Sequence, residues 1–384
     1  MKAGGNSLAK PWESYQAVYV HIPFCVHKCA YCDFASYQIY NEHIMSDYAR
    51  RLAEEISDCT PVLPVSPHAT VYFGGGTPSV LPLDAMEAVV TALKERGFWQ
   101  QPAEATLEAN PGTVDLEKLQ FYRQLGFDRL SLGIQSFQPA ELASMGRVHT
   151  AEDAEAAIAL AREAGFQRIS GDLIYGYPGQ TAASVQDSLE RLLQTGVDHV
   201  SVYGLTVEEG TLLAKQVREG TAALPPEDET GAMYDFLMEA LPQAGYQRYE
   251  ISNFARPGQA SRHNQVYWHY DPYLAFGAAA CRFDGISRET NPRNLTAYLR
   301  GEAPEQEELS PEIRREELVF MSLRTAKGLS LAEFRQRTGS SFFPLYKDAF
   351  AACAERGWIA REGDRIHLTE RGMQYGNLAF EEFL

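Results

Sequence analysis

Three cysteines within eight residues, Cys25, Cys29 and Cys32, lie in the segment HIPFCVHKCAYCDF, separated by three and then two residues. With six cysteines in 384 residues, chance would produce such a triple roughly 0.0015 times in a chain of this length. Thiolates at this spacing read as metal ligands. The other three, Cys59, Cys281 and Cys353, are scattered, unlike the framework of a disulfide-stabilised domain. A structural zinc ion would want a fourth ligand, for which His21 and His27 stand nearby. A 4Fe-4S cubane on three thiolates instead leaves one iron open to an outside ligand.

Further polar residues fall at places where they could meet that centre. FGGGTP (73–78) offers Gly75 and Gly76, which permit close backbone approach and leave amide donors for a carboxylate or amino group, and then Thr77. Glu108 sits in LEANP, Gln135 in GIQSF, Arg147 in MGRVHT and Asp172 in GDLIYGYP, while Thr206 lies near the end of the run HVSVYGLTV. Carboxylates at such places are costly to bury without partners, which favours a ligand contact. Arg147 is expected to meet a ligand carboxylate or Glu108, with a solvated surface position as the equal alternative.

The elements that position these residues are six β-branched runs at 17–22, 69–73, 105–109, 129–134, 168–176 and 199–207, alternating with helical patterns. AEDAEAAIALAREAGF (151–166) is typical, with an apolar stripe through Ala154, Ile158 and Ala161 and Gly165 as a stop. This rhythm predicts an α/β fold, with βα units around a parallel sheet. In a barrel the strand ends converge at the C-terminal face, where one polar residue from each successive strand forms a ligand site. Residues 245–300 are dense in aromatic and small residues and give no topology. From Pro311 the helices and a GWIAREGDRIHLT hairpin read as a winged-helix-like module.

A net charge of −17 is the opposite of a phosphate-neutralising footprint, so no nucleic-acid partner is expected. The absence of a long apolar run or an apolar leader points to a cytoplasmic protein.

Taken together, the cysteine spacing after the first strand and the polar strand ends resemble the radical S-adenosylmethionine (SAM) superfamily. The resemblance implies a partial (βα)6 TIM-like barrel with a 4Fe-4S cluster whose open iron chelates SAM, and reductive cleavage of SAM to a 5′-deoxyadenosyl radical. YVHIPFC, GGGTP, EANPGT, LSLGIQSF, GRVHT and DLIYGYPGQT are more specific, and are similar to the group containing oxygen-independent coproporphyrinogen III oxidase. Within it, Phe34 stands where the oxidase has a fourth cysteine, Cys25 lies too near the start for the oxidase's N-terminal extension, and RHNQVYWHY (262–270) matches the HNxxYW signature of the HemW-like haem-chaperone branch.

The resemblance implies Cys25, Cys29 and Cys32 as cluster ligands. It places Tyr19, Tyr31, Gly75, Gly76, Thr77, Glu108, Gln135, Arg147, Asp172 and Thr206 around SAM. His263 is the expected haem contact, with His269 as a second axial candidate and Tyr267 and Trp268 as flat apolar surface; a packed core role for this motif is the competing reading. Tyr31 replaces an oxidase Phe, and Cys281 is left outside the site. The expected partners are haem, SAM, an electron donor and a haem-acceptor protein of the membrane-associated kind. The expected division is a tail at 1–16, a barrel at 17–245, an HNxxYW-containing extension at 246–305 and a winged-helix-like domain at 306–384. The rival functions are the oxidase itself, which decarboxylates two propionates, and a regulatory protein built on the winged-helix-like tail.

Overall fold

A parallel strand pair needs a crossover, and strands buried on both faces need helices to cover them; the sequence supplies both in alternation. The computed structural model describes residues 12–38 and 41–384, so the expected tail lies outside the described residues as far as residue 11. Strands β1 (Tyr15–Ile22), β2 (Val65–Gly75), β3 (Ala105–Ala109), β4 (Arg129–Gln135), β5 (Arg168–Tyr175) and β6 (His199–Gly204) pair in that order, all parallel. Helices α1 (Glu42–Asp58), α2 (Leu83–Glu95), α3 (Leu116–Leu125), α4 (Ala151–Glu163) and α5 (Ala182–Gln194) make the crossovers, and α6 (Glu227–Gln243) follows β6. Thr150 and Thr181 start α4 and α5 through capping boxes that satisfy otherwise orphaned amides.

Side-chain alternation divides the two faces of this sheet. Val71, Phe73, Leu107, Leu130, Leu132, Ile169, Val200 and Val202 join the main hydrophobic core with the helices. The intervening Thr70, Tyr72, Thr106, Glu108, Arg129, Ser131, Ser170, Asp172, His199 and Ser201 form the opposite, polar face. Strand register sets Glu108 beside Ser131 and Asp172 beside Ser201, so the polar residues meet at common levels.

The segment that gave no topology extends both edges of this six-stranded core. On one side β8 (Asn253–Ala255) adds antiparallel to β6, and β7 (Gln247–Arg248) adds antiparallel to β8 at the edge. After α7 (Arg262–Trp268), β9 (Tyr273–Phe276) adds parallel to β1, and β10 (Cys281–Phe283), β11 (Ser287–Thr290) and β12 (Glu305–Glu308) continue antiparallel. The result is a 12-stranded sheet. Its terminal strand β12 reads EQEE and is exposed throughout, a charged edge that resists pairing with another chain. A second core gathers Leu318, Val319, Phe334, Phe342, Ile366 and Leu368 from α8 (Pro311–Leu323), α9 (Leu331–Thr338), α10 (Phe342–Glu355) and the small sheet of β13 (Leu329–Ser330), β14 (Ile359–Glu362) and β15 (Arg365–Leu368). Tyr270 and Phe283 of the extension pack into it. Among the described residues no helix is long and apolar enough to cross a membrane.

The sixth strand departs from the expected run. It ends at Gly204, paired with Tyr175, because β5 ends there and Leu205–Val207 have no strand left to join.

Arg129 is 2 % exposed and reaches Glu104 at 3.5 Å, the Ser170 hydroxyl at 2.7 Å and the Gln259 carbonyl at 3.0 Å. Removing one member of a buried ion pair strands the other charge. Arg129→Met is therefore expected to lower stability by about 3 kcal/mol, the lower end of the usual range because Arg168 also reaches Glu104, at 3.3 Å. Urea denaturation checks this; a loss below about 1 kcal/mol would mean that Arg168 alone neutralises Glu104.

Candidate functional site

The cysteine loop begins where β1 ends, and backbone bonds fix it before any side chain acts. Phe24–Cys25 pairs with Tyr37–Gln38 to close the loop's base, while the Ala30 amide donates to the Met145 carbonyl and its own carbonyl accepts from Leu213. Gly76 explains how the loop lies so close to the end of β2. A Cβ there would stand 2.6 Å from the Phe24 carbonyl oxygen and 3.0 Å from Cys25 Sγ. Gly75 adopts φ 111°, and a Cβ on it would strike the His21 ring at 2.5 Å.

Each thiol has a polar neighbour. Thr77 Oγ1 lies 3.6 Å from Cys25 Sγ, an Arg147 guanidinium nitrogen 3.4 Å from Cys29 Sγ, and Ser36 Oγ 3.9 Å from Cys32 Sγ. Burial pushes the Cys25 and Cys32 thiols up, and the neighbouring hydroxyls partly oppose it. Among the described residues no three His, Cys, Asp or Glu side chains converge as ligands of a single ion. A cubane spreads its thiolates over separate irons and does not need that convergence. Tyr31, within this loop, meets the Tyr177 ring edge-on at 6.2 Å.

Arg147 is neither a surface group nor a partner of Glu108. Besides Cys29 it donates to Asn110 Oδ1 at 2.5 Å and to the Gly133 carbonyl, and Asn110 in turn donates to Thr77 Oγ1 at 2.9 Å. A continuous polar arc thus joins the strand ends to the cysteine loop. Gln135 beside it has φ 72°, a strained value for a non-glycine residue, and its buried Oε1 has no partner; nor has Arg147 Nε. Orphaned buried polar atoms at the mouth of a sheet fit a ligand that supplies their bonds.

The acidic side of the site is equally organised. Glu108 accepts from Tyr72 Oη at 2.6 Å and from the Gly75 amide at 3.1 Å. Burial raises its carboxyl to about 7; the Tyr72 bond opposes the shift and nearby Asp172 adds to it. Asp172 accepts from Ser201 at 2.6 Å and Ser131 at 3.4 Å, and burial raises it to about 6 despite those bonds. Tyr19 stacks on Tyr72 at 6.2 Å and bonds His21 Nδ1 at 3.0 Å. The amides expected to be free are in use: Gly75 donates to Glu108, Gly76 to the Ile22 carbonyl and Thr77 to the Phe24 carbonyl. Parallel register and loop packing consume them.

The structure therefore gathers Cys25, Cys29, Cys32, Tyr19, Tyr31, Gly75, Gly76, Thr77, Glu108, Gln135, Arg147 and Asp172 at one end of the sheet. Thr206 is exposed, past the last strand pair. His263 also differs from its expected role. It is 1 % exposed, with Nδ1 2.8 Å from Thr70 Oγ1 and Nε2 2.9 Å from Tyr267 Oη, so neither ring nitrogen is free for iron. His269, the second candidate, is exposed. Sequence reasoning missed Tyr72, Asn110, Ser131 and Ser201. Asn110 carried a signal, adjoining Glu108's strand end; the others depend on register. A cleft of about 390 Å³ opens beside the cysteine loop, lined by Tyr19, Phe34, Tyr267, Tyr273, Cys281 and Arg293 among others.

Residues 19–192 match the Radical SAM superfamily, and residues 309–375 match the HemN C-terminal domain. The fold superposes on coproporphyrinogen III oxidase (HemN) from Escherichia coli with a TM-score of 0.84 at 25% identity, over 98% of this chain and 91% of that one. The heme chaperone HemW of Lactococcus lactis is 35% identical over 96% of this chain and 97% of its own. The chain belongs to the HemW family. The Bacillus subtilis HemW, 34% identical over 96% of this chain and 99% of its own, extends the match end to end. Membership in the HemW family places the α/β radical SAM fold and its C-terminal domain in one known architecture.

Proposed function

We propose that this protein is a radical SAM haem chaperone, holding a 4Fe-4S cluster on Cys25, Cys29 and Cys32, SAM at the adjoining polar strand ends, and haem, which it passes to an acceptor protein. The observation that carries this reading is the end-to-end similarity to proteins named heme chaperones, at 35% identity against 25% for the oxidase. Phe34, 69% exposed where the oxidase resemblance calls for a fourth cysteine, favours the same side. When bound, the cluster and SAM supply one-electron reductive chemistry at the sulfonium, for which an electron donor is required.

The chain's own residues bind and orient. Arg147 keeps positive charge beside the Cys29 thiolate, and Gln135 and the Arg147 Nε offer unused bonds. Glu108 and Asp172 suit an N–H donor and the positive charge of a sulfonium. The cleft beside the loop presents aromatic walls and the Arg293 guanidinium, which suit a flat macrocycle carrying propionates. His269, exposed but not among the residues lining this cleft, stays the second axial candidate. The acceptor is expected to be a membrane-associated haem protein, and the setting cytoplasmic.

An anaerobic haem titration of the cluster-loaded protein tests this. A saturable one-to-one end point in the visible spectrum is expected. No saturable binding, together with turnover of coproporphyrinogen III, would replace the chaperone with the oxidase.

A further inference from the structure

The HNxxYW segment points into the sheet, not out from it. α7 packs on the polar face of β1 and β2, and its first turn is tied down where the Glu104 carboxylate accepts from the His263 amide at 3.2 Å. The His263 ring then lies face to face with Tyr72, centroids 4.8 Å apart and planes 27° apart. Tyr72 is the residue whose hydroxyl, at 2.6 Å, holds Glu108. Tyr19 stacks on the same Tyr72 ring. Both imidazole nitrogens are spent on the hydroxyls of Thr70 and Tyr267. Burial pushes the ring down to about 3, so it is neutral and takes one donor and one acceptor role with hydroxyls able to play either part.

We propose that His263 is a positioning residue for the SAM site, acting through Tyr72 on Glu108, and is not a ligand of haem iron; this rests on the reading that Glu108 belongs to that site. Two features make the arrangement a support and not mere filling. The imidazole has a hydroxyl at each end, so its plane is fixed and the Tyr72 ring stacked on it cannot tilt. The Tyr72 hydroxyl is in turn aimed at one carboxylate oxygen, leaving the other to Gly75. Tyr267 turns the other way: its ring meets Tyr273 edge-on at 4.7 Å, and both line the cleft. One helical turn therefore separates a residue supporting the acidic site from one facing the cleft.

The test measures SAM dissociation constants by anaerobic equilibrium dialysis on cluster-loaded protein, alongside iron content and haem titration. His263→Ala is expected to weaken SAM about tenfold with iron and the haem spectrum unchanged, and Tyr72→Phe, which opens no cavity, to do the same. His263→Phe keeps the stacked ring but loses the two hydroxyl bonds that fix its plane, and is expected to recover part of the affinity, between His263→Ala and the unaltered protein. The double variant His263→Ala/Tyr72→Phe should bind no more weakly than either single one, because both act through Glu108. Unchanged SAM affinity in His263→Ala, or effects that multiply in the double variant, would overturn the proposal. So would a changed haem spectrum in His263→Phe, which would return the residue to iron ligation. If His263→Ala does not fold, the Tyr72→Phe and His263→Phe measurements decide alone. Failure of the unaltered protein to bind SAM at all would remove the underlying reading and this one with it.

Discussion

Cys29→Ala is expected to abolish the brown iron-sulfur chromophore of the reconstituted protein, with iron and sulfide falling to background, and Cys25→Ala and Cys32→Ala to do the same. The effect is all-or-none because two thiolates cannot hold a cubane whose fourth iron is already open. Cys59, Cys281 and Cys353 serve as internal controls: Cys59 and Cys353 are buried in the two hydrophobic cores, Cys281 lines the cleft, and alanine at each should leave the chromophore intact. The Cys29 variant is the cleanest of the three. Cys25 is buried against Thr77 and Gly76, so its loss also disturbs packing, whereas Cys29 is half-buried and contacts chiefly the Arg147 guanidinium. Iron and sulfide analysis with circular dichroism separates loss of the cluster from loss of the fold. Full iron and sulfide in a folded Cys29→Ala protein would remove that residue from the ligand set.

The same comparison of local and distant partners explains what could be read from the sequence. Strands such as 105–109 and 129–134 were legible because alternating residues face a helix-covered core, and each strand carries that pattern within itself. The extension was not, because Gln247–Arg248, Asn253–Ala255 and Tyr273–Phe276 are two to four residues long and take partners on opposite edges of the sheet. Periodicity has no purchase on so few residues. In the site, residue types were legible and partners were not. Glu108 stood out as a carboxylate at a strand end, but its bond to Tyr72 depends on β2 lying beside β3 in a particular register. The glycine amides looked free in sequence and are consumed once Phe24 and Ile22 carbonyls arrive from β1 and the loop after it. His263 carried the opposite lesson: an imidazole beside Tyr and Trp suggests haem chemistry, and only tertiary placement shows both nitrogens occupied.

SAM affinity should depend on pH through Glu108, and the sign follows from its burial. The folded carboxyl sits at about 7, above its ordinary range, with Tyr72, Gly75 and Asp172 around it. Between the ordinary range and about 7 the folded, ligand-free protein keeps a proton that the unfolded chain has released. Its stability contribution is therefore fully present at low pH, falls as pH rises through that window and is level above it; Asp172, at about 6, adds a drop of the same sign. Binding runs the other way. The ionised carboxylate accepts from an N–H of the ligand's amino group and offsets its sulfonium charge, so affinity should rise as pH climbs through 7 and level off above it. Glu108→Gln keeps the side chain's size and the Gly75 contact but cannot ionise. It is expected to weaken SAM at least about tenfold above pH 7 and to flatten the rise near 7, leaving a shallower rise near 6 from Asp172. Equilibrium dialysis across pH 5.5–9, stepped at about half a unit, resolves the rise and the plateau. A Glu108→Gln protein whose profile still rises through 7 would assign the dependence to another group, and Asp172→Asn would be the variant that locates it.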